Sequence, residues 1–535
     1  MRFFSRLEAI SFIAIFFVLC GNVAFFKKVI QVYPLSWANS GFLISVAIIL
    51  SCVIVLVLLL VTNRYTFKPI AIILVLVSSL SAYFMQTYDI AIDKIMIQNI
   101  METNTSEAQD LINLQLVLYF LFLGLLPAFV IYKLPISYGT FKQECLKTLK
   151  GMGVSVGVSL VLLLVFSKFY TSFFRENKPL RFYTNPTFYL YSAGSYGVSY
   201  FNKQGVSFKA LGEDAKLSAR AKEGQHKLTI VVVGEAARAD RFSLNGYEKK
   251  TNPLLEKEAI INFSNFSSCG TSTAISVPCM FSYLERQNYS DKTAKSTENV
   301  LDIIKRAGVS VLWRDNNSDS KGVALRVAYE DFKGSNINTI CDEECRDEGM
   351  LEGLQTFIDT QKGDILIVLH QMGNHGPAYY KRYPKSFERF TPTCQTNQVE
   401  KCDVKEIGNT YDNAILYTDY FLAKTIQFLK NNDDKFQTAL VYMSDHGESL
   451  GEKGLYLHGI PYFMAPKEQT HIPALMWFGK HSHQRINTEA LAKNAHLEYS
   501  HDNLFHTLLG LMEIETKVYE PTKDMLQYNT IKENK

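Results

Sequence analysis

Residues 227–235 read Lys-Leu-Thr-Ile-Val-Val-Val-Gly-Glu, an uninterrupted apolar run that stops abruptly at a glycine and a carboxylate. Continuous runs rich in β-branched residues mark strands buried on both faces, as in a parallel sheet covered by helices. The same grammar returns downstream. Val309-Ser-Val-Leu-Trp313 ends at Arg314-Asp315, and Asp364-Ile-Leu-Ile-Val-Leu-His370 leads to Asn374-His375-Gly376. Thr438-Ala-Leu-Val-Tyr-Met-Ser444 gives way to Asp445-His446-Gly447. A helical pattern over 411–429 supports alternation of strand and helix. Residues 227–535 are therefore expected to form an α/β domain, with Glu235 starting a helix after its strand. Open α/β sheets place their sites beyond the carboxyl ends of the strands. Glu235, His375, Asp445, His446 and, a short loop later, His458 are predicted to gather there.

Upstream the character changes. The chain of 535 residues exceeds what one core usually holds, and residues 1–170 are dominated by long apolar runs. Five of them, at 9–26, 41–61, 69–85, 115–132 and 153–166, reach or approach the ~20 residues that cross a bilayer. A cleavable signal peptide is the alternative for the first alone, but no clean small-residue cleavage site follows it. Buried core helices are the alternative for all five, yet 55–61, Val-Leu-Val-Leu-Leu-Leu-Val, offers water no polar face. A transmembrane domain of five helices is expected over 1–167. Arg2, Arg6, Arg64, Lys68, Lys133, Lys142, Lys147 and Lys150 put the amino terminus and two loops in the cytoplasm; Lys27 and Lys28 run against the pattern. With five spans, everything after about residue 168 lies outside the cytoplasm. Residues 168–226, aromatic and basic and then polar, read as a connector with helices on the membrane surface, or as a plain linker.

Composition excludes other classes. Aromatic residues at 13% and a net charge of only +3 leave ample material for burial, so a disordered chain is excluded. The 55 basic and 52 acidic residues nearly cancel, which argues against nucleic acid as a partner. Of nine cysteines, Cys20, Cys52 and Cys145 fall in or beside the membrane portion. The other six lie in near neighbours: Cys269 with Cys279, Cys341 with Cys345, Cys394 with Cys402. Six thiols allow fifteen pairings, and proximity favours the local one. No CxxC spacing supports metal binding by these cysteines, whereas an oxidising compartment such as a bacterial periplasm suits them.

Two carboxylates and an imidazole at one sheet rim are suitable ligands for Zn²⁺. Singly, each has an ordinary reading: Glu235 as an acid favoured by a helix dipole, Asp445-His446-Gly447 as a turn, a histidine as structural. Ser268-Cys269-Gly-Thr-Ser-Thr273-Ala-Ile-Ser-Val-Pro-Cys279 adds a hydroxyl-rich loop bracketed by cysteines. A hydroxyl there can simply cap a helix. Beside a metal, its pKa falls and it becomes a nucleophile.

Taken in order, Gly234-Glu235-Ala-Ala-Arg238, Cys269-Gly-Thr-Ser-Thr273, Ser276-Val-Pro-Cys279, His375-Gly-Pro377 and Ser444-Asp-His-Gly-Glu-Ser449 resemble the bacterial phosphoethanolamine transferases that modify lipid A, the mobile colistin-resistance enzymes among them. The resemblance spans essentially the whole chain. It implies five amino-terminal membrane helices followed by a periplasmic domain of the alkaline phosphatase and sulfatase type, in the bacterial inner membrane. It also implies Thr273 as nucleophile and Glu235, Thr273, Asp445 and His446 as ligands of one tightly bound Zn²⁺. His375 and His458 would hold the substrate phosphate or a second zinc in turnover, and Asn317 and Lys321 would contact the phosphoryl group. Asn317 and Lys321 also read as an ordinary solvated loop. Asn99, Thr103 and Glu107, at i, i+4 and i+8, would form one polar stripe on a helix, matching family positions that bind the ethanolamine lipid; a capped surface helix is the other reading.

On this resemblance the expected reaction is attack of Thr273 on phosphatidylethanolamine, release of diacylglycerol, and transfer of phosphoethanolamine from Thr273 to a lipid A phosphate by a monomeric enzyme. His375 or His458 would supply the leaving oxygen's proton. Masking anionic phosphate would confer resistance to cationic polymyxins. The lipopolysaccharide core, at Kdo or heptose, is the alternative acceptor, and a membrane-tethered phosphodiesterase or sulfatase-like hydrolase the alternative enzyme. A silent membrane sensor would be expected to have lost some of these ligands.

Overall fold

The computed structural model describes residues 3–103, 105–201 and 208–529. The chain divides into two compact units, one of Met1–Met101 and Ile112–Tyr200, the other of Glu102–Leu111 and Phe201–Lys535.

The first unit is helical. Its elements are α1 (Arg6–Gly21), α2 (Val23–Val32), α3 (Trp37–Val61), α4 (Phe67–Thr87), α5 (Lys94–Glu102), α7 (Leu114–Lys133), α8 (Phe141–Val165), α9 (Ser167–Glu176) and α10 (Thr187–Phe201), while α6 (Thr105–Asp110) lies in the short excursion that belongs to the second unit. Among the described residues, α3, α4, α7 and α8 alone are long and apolar enough to cross a membrane as single helices. The expected first span is instead a bent pair, α1 and α2 meeting at 62°, so a count of five requires taking that pair as one. Asn22 sits at the break. Its side-chain amide donates to the Phe17 carbonyl at 2.9 Å, and its Oδ1 accepts from the Asn185 N–H at 2.8 Å. A buried side chain that takes over backbone partners is a recognised cause of a kink.

Lys28, the charge out of step with the loop pattern, pairs with Asp89 at 2.7 Å and lies 4.5 Å from the Tyr183 ring centre. Arg6 is buried as well. It donates to the Thr62 carbonyl at 2.8 Å and to the Thr148 hydroxyl, with Glu144 at 3.7 Å. The expected connector is divided between the units. Up to Tyr200 it packs on the helices, with the Tyr170 hydroxyl 2.8 Å from Ser45 Oγ and that of Tyr189 3.2 Å from Ser78 Oγ.

The second unit is built on a seven-stranded sheet: β1 (Lys227–Gly234), β2 (Ile260–Phe263), β3 (Ser310–Asp315), β4 (Ala328–Asp331), β5 (Ile365–His370), β6 (Gln437–Ser444) and β7 (Ala474–Phe478), in the spatial order β2-β7-β6-β1-β5-β3-β4. β6, β1, β5, β3 and β4 are parallel, and β7 runs antiparallel to both β6 and β2. The four strands expected from continuous apolar runs form its centre. β1 is buried at every position and contributes Val231 and Val233 to a core shared with Leu366, Val368, Val441 and Met443. Each such side chain removed from water stabilises the fold by roughly 1.5–3 kcal/mol.

Register positions the site. Gly234 pairs with Ser444 and Val233 with His370, while Asp315 also pairs with His370. Their next residues, Glu235, Asp445, Gln371 and Asn316, therefore leave the sheet at one rim. Two helices matter there, α11 (Thr273–Met280) and α12 (Val404–Asn432). α12 starts earlier than the expected 411–429 because Asp403 and Glu406 form a reciprocal cap.

Candidate active site

At that rim the expected helix start at Glu235 is absent. The chain turns through Ala236 with a φ of 53°, and Glu235 is drawn across the strand ends. Gly373, φ 51°, permits this: a Cβ there would lie 2.9 Å from the Glu235 carbonyl oxygen. Glu235, Asp445 and His446 are fully buried, and one ligand atom from each lies within 4.8 Å of the others.

The orientation of these atoms is informative. Asp445 Oδ1 accepts from the N–H groups of Ala236 at 3.1 Å and His446 at 2.7 Å, while Oδ2 has no hydrogen bond. Glu235 Oε2 accepts from the Asn317 amide at 2.8 Å and the Thr273 hydroxyl at 3.0 Å, leaving Oε1 without one. His446 Nδ1 donates to the Gly447 carbonyl at 2.8 Å, so its Nε2 faces Glu235 Oε1 at 3.3 Å and Asp445 Oδ2 at 3.4 Å. A neutral imidazole lone pair opposite two buried carboxylates is repulsive unless a positive charge stands among them. The carboxyls feel the same demand. Burial and the charge of Glu235 push Asp445 up to about 6. Burial also opposes ionisation of Glu235, but the imidazole of His446 outweighs it and holds that carboxyl below the usual range. Burial lowers His446, yet the two carboxylates push it up to about 10. Two buried carboxylates, one fixed imidazole and two unpartnered oxygens fit a divalent cation of the zinc type.

The hydroxyl loop reaches the same point. Thr273 is the first residue of α11, and its Oγ1 lies 3.4 Å from His446 Nε2 in addition to its bond with Glu235. Disulfides join Cys269 to Cys279, Cys341 to Cys345 and Cys394 to Cys402; the first encloses the segment that carries Thr273. Inside it the Gly270 N–H donates to Ser276 Oγ at 3.0 Å, and Thr271 exchanges bonds with the backbone of Gly459 at 2.8 Å and Ile460 at 2.7 Å.

His375 and His458, both half-buried, face each other with ring centres 5.7 Å apart, and His458 lies 4.3 Å from the His446 ring. His458 Nδ1 donates to Glu448 Oε2 at 2.7 Å, whose other oxygen accepts from the Tyr379 hydroxyl at 2.6 Å. Asn317 thus joins the cluster directly through Glu235. Lys321 does not touch those ligands: its amine donates to the Ser318 carbonyl at 2.9 Å and the Glu102 carbonyl at 3.4 Å. The single helical stripe expected over Asn99, Thr103 and Glu107 is not formed. α5 ends at Glu102 and a separate α6 begins at Thr105, with Asn99 in the first unit and Thr103 in the second. The run Thr103-Asn104-Thr105-Ser106 prefers caps to a helix interior. The Glu107 side chain lies outside the described residues.

Two residues at this rim went unassigned in the sequence. Glu448 was visible within the Asp-His-Gly-Glu motif. His501 carried no local signal, because both its partners are main-chain groups. Fully buried, it accepts from the Cys269 N–H through Nδ1 at 3.0 Å and donates to the Ser444 carbonyl through Nε2 at 2.9 Å. Burial brings its pKa down to about 4. The folded state therefore binds fewer protons than the unfolded one between pH 4 and the ordinary value of about 6.5. Stability is complete above that value and is lost as pH falls, by roughly 2 kcal/mol at pH 5 from this residue. Thermal unfolding followed from pH 7 to 5 should show the decline, and His501→Gln should flatten it.

Known proteins share both halves. Residues 227–514 match the sulfatase family, and residues 50–201 match a family described as phosphoethanolamine transferase EptA/EptB. Phosphatidylethanolamine transferase Mcr-2 of Escherichia coli is 43% identical, with 94% of each chain covered. Phosphoethanolamine transferase EptA of Escherichia coli K12 is 42% identical over 96% of this chain and 95% of its own. The integral membrane lipooligosaccharide phosphoethanolamine transferase A of Neisseria meningitidis superposes with a TM-score of 0.93 at 36% identity, covering 97% of both chains.

Proposed function

The chain belongs to the EptA/EptB phosphoethanolamine transferases, with a membrane-helical amino-terminal part and a carboxyl-terminal domain of the alkaline phosphatase and sulfatase type, and from this we propose that it carries phosphoethanolamine from phosphatidylethanolamine to a lipid A phosphate through a covalent adduct on Thr273. The observation that carries the reading is the Thr273 hydroxyl, 3.0 Å from Glu235 and 3.4 Å from His446, beside two carboxylate oxygens without partners. Glu235, Thr273, Asp445 and His446 would hold Zn²⁺. Bound there, the ion supplies Lewis acidity, lowering the pKa of a hydroxyl and neutralising charge on phosphoryl oxygens.

Thr273 Oγ loses its proton toward Glu235 and attacks phosphorus. The diacylglycerol oxygen departs and takes a proton from His375 or His458. Glu448, bonded to His458 Nδ1, fixes which nitrogen of that ring faces the leaving group. A lipid A phosphate hydroxyl then attacks the same phosphorus, giving its proton to the histidine that lost one, and Thr273 Oγ leaves, taking back its proton from Glu235. Asn317 steadies the Glu235 carboxylate. Lys321, Asn99, Thr103 and Glu107 are assigned by family likeness to the donor phosphoryl and headgroup, and His375 with His458 to its phosphate or to a second zinc. The enzyme is proposed to act as a monomer. Two amphiphilic substrates suit an enzyme of the inner membrane whose catalytic domain faces the periplasm. Replacing exposed anionic charge by a zwitterion weakens attraction for cationic polymyxins.

Lipid A mass spectra of cells with and without the gene test the acceptor. Phosphoethanolamine on a lipid A phosphate is the expected product; the group on Kdo or heptose, or free phosphoethanolamine alone, would overturn it.

A further inference from the structure

We infer that His501 is a positioning residue for the transfer reaction, a neutral imidazole that holds the nucleophile loop in register with the strand carrying the acidic and imidazole ligands. The inference rests on Thr273 as nucleophile. Thr273 and the Asp445-His446 pair come from separate elements, the Cys269–Cys279 loop and the end of β6. His501 touches neither reacting group. It joins the backbone at the root of each, through the Cys269 N–H at 3.0 Å and the Ser444 carbonyl at 2.9 Å.

The two bonds have opposite polarity. The Ser444 carbonyl can only accept, so Nε2 carries the proton; the Cys269 N–H can only donate, so Nδ1 must be bare. One tautomer satisfies both, and the ring is 1% exposed with Phe266 against it, centres 6.0 Å apart. Without the ring, a buried donor and a buried acceptor lose partners together, and the loop is free to drift relative to Asp445. A displacement near 1 Å at a reacting atom costs on the order of 100-fold in rate.

The test uses the full chain in detergent with zinc content measured, phosphatidylethanolamine as donor and lipid A as acceptor. His501→Leu should lower kcat by about 100-fold with KM for the donor unchanged. Amide exchange over 268–272 should quicken while zinc content holds. His501→Gln, whose amide both accepts and donates, should restore rate and protection. His501→Asn, too short to span both groups, should behave as the leucine variant and serves if that one does not fold. Wild-type kcat and exchange in the leucine and asparagine variants would overturn the inference, as would a glutamine variant as slow as they are. Failure of the nucleophile assignment is read separately, as transfer retained by Thr273→Ala.

Discussion

Thr273→Ala should abolish transfer, with a rate loss on the order of 10⁴- to 10⁶-fold, as expected when a nucleophile rather than a contact is removed. The hydroxyl has two partners in the site, Glu235 and His446, and no second hydroxyl makes the same pair of contacts among the described residues. The variant should keep its fold. Thr273 opens α11 without serving as its cap, a position held by Ser272, and the Cys269–Cys279 bond still encloses the loop. Intact-mass measurement after incubation with phosphatidylethanolamine provides the check. The parent chain should gain phosphoethanolamine at residue 273 and the alanine variant none; an adduct persisting elsewhere, with turnover, would remove Thr273 from its role.

Asp445→Asn should weaken zinc binding by more than about 100-fold and transfer at least in parallel, since outer partners of a metal ligand alone account for 10- to 100-fold. The substitution is nearly isosteric. The Ala236 and His446 N–H groups bonded to Oδ1 can keep a carbonyl acceptor, so local structure survives. What changes is Oδ2, the unpartnered oxygen directed at His446 Nε2. Replacing it by an amide removes a negative charge and a ligand together. Metal analysis after dialysis, read beside the transfer rate, decides the matter: full zinc occupancy with full rate in this variant would exclude Asp445 from the metal site.

Much of this arrangement is legible in the chain because parallel strands buried on both faces cannot hide their composition. The runs ending at Gly234, His370 and Ser444 carry both the sheet and the address of its rim. β2, β4 and β7 escaped notice for the opposite reason. β4 is mostly exposed and carries little apolar signal, and the short β2 alternates. β7, Ala-Leu-Met-Trp-Phe, is apolar but short and lacks the β-branched signature. The zinc-type cluster could be anticipated from residue type and strand end. His501 could not, since its partners are main-chain groups, which leave no trace in side-chain identity. The break at Asn22 was likewise masked, because one polar residue hardly alters the mean of a long apolar window.

Arg6 has a consequence for how the helical unit is made. Arg6 is synthesised before its partners: Thr62 follows it by 56 residues and Thr148 by 142, with Glu144 3.7 Å from the guanidinium. Before those partners exist, a charged group is cheapest at the aqueous boundary of the membrane. The full set of contacts that buries Arg6 is therefore available only once the chain has been made as far as Thr148.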